Sequence, residues 1–148
     1  MKFYVAAYVR EKRRVKDICR SLELLGHKIT VDWTKDEAPK LKDRSIFSKD
    51  VRRVAVRDMK GVLDCDIFII LSDPVHGRAK YVELGAAIAS FEKNRRPLIY
   101  ALGKTSDQTV FYYHPVVKRV KTLDDIICNI RQSKEKTRST KQSEVSHE

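Results

Sequence analysis

Apolar residues recur along this chain with two alternating periods. Phe3, Tyr4, Val5, Ala6, Ala7 and Tyr8 form a short run that predicts a strand over residues 2–9. Over residues 11–25 the spacing changes. Val15, Ile18, Cys19, Leu22 and Leu25 recur every three or four positions among charges, as in an amphipathic helix, and Gly26 is placed to stop it. Residues 27–33 alternate well enough for a second strand. Residues 34–48 are polar, contain Pro39 and show no period, so they read as a long loop of the kind that often serves as a lid. Residues 49–65 return to helical spacing, with Val51, Val54, Ala55, Met59 and Val62 on one face.

The next stretch organises the chain. Residues 66–71 are an almost unbroken apolar run rich in β-branched and aromatic side chains, the pattern of a strand buried on both faces of a parallel sheet. Turn formers and charges fill 72–80. Residues 81–89 then read as a small-residue helix with Glu83 in its first turn. Residues 97–103 predict another buried strand. A connection over 104–114 carries Phe111, Tyr112 and Tyr113, and 116–121 can hold a short last strand. Thr122 with Asp125 three residues on is a close variant of the capping box, opening a helix through Ile126, Ile127 and Ile130. From 133 to 148 the chain is polar and charged, which predicts a disordered tail.

Strands alternating with helices define an α/β protein. The expected architecture is a single-domain, doubly wound, flavodoxin-like parallel sheet of five strands, with helices on both faces, over residues 1–132. Neither a G-x-G-x-x-G loop nor a Walker A loop occurs, so dinucleotide or triphosphate binding by those devices is not indicated.

Composition narrows the function classes. A formal net charge of +11 favours anionic partners such as nucleotides or phosphorylated metabolites. Much of the excess lies on expected helix surfaces and in the tail. No RNA-module signature appears, and aromatics do not interleave with the basic runs, which speaks against nucleic acid as the main partner. No apolar run is long enough to span a membrane, and the chain enters a strand pattern at once, so a soluble cytoplasmic protein is expected. Cys19, Cys65 and Cys128 are far apart and lack metal-type spacing. They read as reduced thiols, and no metal or cofactor is indicated.

Two carboxylates stand out. Glu83 follows a strand's carboxyl end, where open α/β sheets bind ligands; alternatively it complements the helix dipole. Asp58 lies on the apolar face of its helix, four residues from Val54 and from Val62. Burying an unpaired charge is costly. It therefore either faces a site at the sheet's rim or pairs with a neighbour such as Arg52, Arg53 or Arg57.

Three segments together resemble the nucleoside 2-deoxyribosyltransferase family, which includes deoxynucleoside 5′-monophosphate N-glycosidases. They are Phe3-Tyr4-Val5-Ala6-Ala7-Tyr8-Val9-Arg10, the stretch from Asp58 to Asp66, and Gly77-Arg78-Ala79-Lys80-Tyr81-Val82-Glu83-Leu84-Gly85-Ala86-Ala87. The resemblance covers roughly residues 2–103. It implies Glu83 as nucleophile on the sugar's anomeric carbon, giving a glycosyl ester that water or a second base resolves with retention. It implies that Asp58 orients the sugar or assists proton transfer, and that Tyr4 hydrogen-bonds the nucleophile. Ala6, Arg10, Asp73, His76, Gly77 and Arg78 would contact the substrate. The family's loop acid stands closer to the nucleophile than Asp73 does. Here those nearer positions are His76, Gly77, Arg78 and Lys80, which suit phosphate and favour a nucleoside 5′-monophosphate. Family members are homodimers or larger, and Phe111 to His114 can serve such a contact or form an aromatic cluster at the core's edge. Two other readings stay open: a non-catalytic nucleotide-binding module of the same fold, and a basic accessory protein for nucleic acid.

Overall fold

The computed structural model describes residues 1–35, 49–73, 77–104 and 109–145. Most of the expected loop at 34–48, together with His76 and residues 146–148, lies outside them.

The strands are β1 (Lys2–Ala6), β2 (Lys28–Ile29), β3 (Ile67–Leu71), β4 (Leu98–Leu102) and β5 (Val117–Val120). They form one sheet of five in the order β2-β1-β3-β4-β5, every pair parallel. This is the doubly wound, flavodoxin-like arrangement expected. The main helices are α1 (Lys12–Leu24), α2 (Lys49–Asp64), α3 (Ala79–Asn94) and α4 (Leu123–Val145). Three-residue and four-residue 3-10 turns lie at Val9–Glu11, Trp33–Lys35 and Val110–Tyr113.

Strand periodicity divides the core in two. Phe3, Val5, Ile67, Ile69, Leu71, Tyr100 and Leu102 point to the face covered by α1 and α4, where they meet Val15, Ile18, Leu22, Ile126 and Ile130. Tyr4, Ala6, Phe68, Ile70, Ile99 and Ala101 point to the other face, with Val62 of α2 and Leu84 and Ala87 of α3. β3 is buried along its whole length, as its unbroken apolar run requires. Cys19 and Cys65 are packed in these layers, and burial pushes both thiols up to about 12, so neither is a ready nucleophile.

Three boundaries differ from the periodicity. β2 shrinks to Lys28–Ile29, because Trp33 leaves the strand direction and sends its indole N–H to the Val5 carbonyl at 2.8 Å. α3 begins at Ala79, so Glu83 stands in the second turn and not in the first. That removes most of the dipole argument for Glu83, since the field of a helix end fades within one turn. α4 is helical to Val145, across the stretch whose composition marks a disordered tail; no Gly or Pro interrupts residues 123–145. The Thr122–Asp125 box opens α4: Thr122 N donates to Asp125 Oδ2 at 2.9 Å and Asp125 N to Thr122 Oγ1 at 3.2 Å.

The chain winds to β2 on one side of β1 and to β3 on the other. The carboxyl ends of β1 and β3 are therefore the topological switch point, where sheets of this kind open a ligand crevice. No helix among the described residues is long and apolar enough to cross a membrane.

Candidate active site

Tyr4 lies near the middle of β1 and pairs in register with Phe68 of β3, their rings stacked at 6.0 Å. Its side chain points to the α2–α3 face and is fully buried. α2 reaches it closely because position 61 is glycine. A Cβ there would sit 2.6 Å from Val31 and 3.0 Å from the Tyr4 ring. From the opposite side α3 delivers Glu83, and the Tyr4 hydroxyl donates to Glu83 Oε1 at 2.7 Å.

Burial pushes the Glu83 carboxyl up to about 7, with the Asp58 charge adding to the rise and the Tyr4 hydrogen bond opposing it. Burial and the Glu83 charge hold the Tyr4 phenol far above its ordinary range, so it stays a neutral O–H donor. The charge of Asp58, on α2, acts on both side chains and raises both pKa values. Its Oδ1 accepts from Arg57 Nε at 3.0 Å and Nη2 at 2.8 Å. Of the two alternatives its position left open, the structure shows the pairing with a neighbouring arginine.

The other expected contact residues divide. Ala6 ends β1 fully buried, so it can offer a ligand little beyond its backbone. Arg10 is exposed at the same rim, its guanidinium 5.8 Å from the Tyr8 ring. Gly77 abuts Tyr8: a Cβ at 77 would fall 2.9 Å from the Tyr8 side chain. Arg78 is exposed and precedes the first residue of α3, making no side-chain capping bond. Asp73 is committed elsewhere. It pairs with Arg14 and accepts from Lys104 N at 2.9 Å, and these partners hold its carboxyl below the usual range although burial works against them.

The sequence places Lys80 among the loop cations that suit phosphate, and the structure corrects this. Lys80 is fully buried, and its Nζ donates to the Leu71 carbonyl at 2.9 Å, fastening the first turn of α3 to the end of β3. In a run of charges after a loop, Lys80 reads as solvated, and no local pattern reveals a carbonyl nine residues back as its partner. The hold of Arg14 on Asp73 was equally hidden, because the two are 59 residues apart. Among the described residues no group of His, Cys, Asp and Glu is placed to hold a metal ion.

No family model matches the chain, and no curated protein matches it. A solved structure does. The chain is similar in fold to the CMP N-glycosidase BcmB of Clostridium botulinum, with a TM-score of 0.57 and 16% identity over 82% of this chain and 89% of that one. At that identity the likeness is one of fold.

The site gives a direct expectation for Tyr4→Phe. Without the hydroxyl, Glu83 loses the one interaction that lowers its pKa, so its ionisation moves above the present value of about 7. Carbon-detected NMR titration of the Glu83 carboxyl should show that upward displacement. An unchanged midpoint would mean the hydrogen bond contributes nothing.

Proposed function

We propose that the protein is a distant member of the nucleoside 2-deoxyribosyltransferase group and breaks the N-glycosidic bond of a nucleoside 5′-monophosphate through an ester on Glu83. The observation that carries this reading is the 2.7 Å bond from Tyr4 to Glu83, in a fold shared with a CMP N-glycosidase; the charge of Asp58 acts on the pair. Tyr4 occupies Oε1, which leaves Oε2 to attack the anomeric carbon. As the C1′–Oε2 bond forms, the C1′–N bond breaks and its electron pair leaves with the base, which takes a proton with help from Asp58. Water, or a second base, then attacks C1′ from the vacated face, the ester breaks back to the carboxylate, and configuration is retained over the two steps. Before attack, the negative carboxylate stabilises the positive charge that grows on the sugar ring.

Arg10 and Arg78 stand on the rims that meet where Gly77 touches Tyr8, and they supply the cations for a 5′-phosphate. Val110 and Phe111 are 79% and 57% exposed, an apolar pair that supports self-association.

The test is a panel of nucleosides and their 5′-monophosphates, with and without a free acceptor base, separated by chromatography. Free base released faster from the monophosphates supports the reading. No release from any substrate, alongside measurable binding of one of them, would replace the enzyme with a nucleotide-binding module.

A further inference from the structure

The carboxyl edge of the sheet carries a second opening, beyond β3. A cavity of about 660 Å³ lies where β4 and β5 end, lined among others by Arg14, Asp73, Lys104, Tyr113, Arg119 and Lys121. Tyr4, Asp58 and Glu83 take no part in it. Four cationic side chains and one carboxylate line it, but Arg14 is shared between Asp73 and Glu11, the latter at 3.5 Å. The carboxylate, Asp73, is already matched by Arg14 and by the Lys104 N–H. Among the described residues, Lys104, Arg119 and Lys121 form no salt bridge, so their charge is available to a ligand. Arg119 stacks 4.6 Å over the Tyr113 ring, and that tyrosine is 52% exposed. A flat guanidinium-backed ring is a platform for a nucleobase. The cavity is within the size range of small-molecule sites.

We propose that this cavity binds a nucleoside polyphosphate, with its phosphate chain along Lys104 and Lys121 and its base against the Tyr113–Arg119 pair. A single phosphate, with about two negative charges, would match fewer than the three cations that Lys104, Arg119 and Lys121 supply. Because Arg14, in the wall of the cavity, holds Asp73, at the start of the loop that leads to α3, an occupied cavity bears on the segment that positions Glu83.

Calorimetric titration of the full chain at low salt with ATP, AMP, inorganic tripolyphosphate and an oligothymidylate tests this. ATP should bind one site per chain at least tenfold more tightly than AMP, and more tightly than tripolyphosphate. Arg119→Ala/Lys121→Ala, at two exposed positions, should weaken ATP at least tenfold. Removing two exposed cations elsewhere, in Arg20→Ala/Lys93→Ala, should leave it unchanged. So should Glu83→Gln, which makes failure here separable from failure of the glycosidic reading. ATP binding unchanged in the Arg119→Ala/Lys121→Ala variant, or an equal loss in the Arg20/Lys93 variant, would overturn the site. Tripolyphosphate binding as tightly as ATP overturns the base platform, and displacement of ATP by the oligothymidylate assigns the surface to nucleic acid instead.

Discussion

Replacing Glu83 by glutamine should abolish base release by at least about a thousandfold and, above neutral pH, make the protein more stable than wild type. Both effects have one cause. In the unfolded chain this carboxyl ionises near its ordinary 4.5, but burial keeps it protonated to about 7 in the fold. Between those values the folded state binds a proton that the unfolded state has released. Stability from this group is therefore fully present below the lower value and falls as pH rises, the loss being complete above the higher one. The full loss is on the order of 3 kcal/mol. Glutamine cannot ionise, and its carbonyl still accepts from Tyr4. Glu83→Gln should match wild type in denaturant melts near pH 4 and exceed it at pH 8. The wild-type rate should show the complementary dependence, since in the proposed mechanism only the ionised carboxylate attacks: kcat/KM should rise with a midpoint near 7. A glutamine variant that melts in parallel with wild type at every pH would show that no proton is held at Glu83.

The second large effect is expected at Lys80. Lys80→Ala removes a fully buried aliphatic stem and leaves the Leu71 carbonyl without its donor. Together these should cost about 2–4 kcal/mol, or roughly 5–15 °C in Tm for a domain of this size. Lys80→Met keeps the volume and forfeits only the hydrogen bond, and it also removes an ammonium whose pKa burial already lowers. Methionine should therefore recover most of the stability lost in alanine. Glu83 follows three residues later on the same helix, so the alanine variant should lose turnover as well, and more of it than the methionine variant. Equal melting temperatures for wild type and Lys80→Ala would show that the buried stem and its bond do not hold α3 in place.

Much of this was legible because the apolar pattern is a direct consequence of burial. The unbroken run of β3 cannot be satisfied on one face, and it dictated a central parallel strand with helices above and below. Asp58 was legible as an anomaly, since a carboxylate on an apolar helix stripe demands a partner. The start of α3 was not, because Ala79 and Lys80 are good helix formers whether they end a loop or open a helix. Asp73 read as a loop acid free to meet a ligand. Its engagement with Arg14 and Lys104 depends on the sheet bringing three distant segments together. Lys80 shows the same blindness from the other direction: side-chain chemistry suggests solvent, and only the closed fold supplies the carbonyl that makes burial tolerable.

The contact between Gly77 and Tyr8 ties the two crevice rims into one piece. A mutation that reshapes the rim after β1 to suit a different sugar or base must also move the rim after β3, and the reverse holds. Substrate preference in this scaffold should then change through paired substitutions, with single changes at either rim costing affinity for old and new substrates alike.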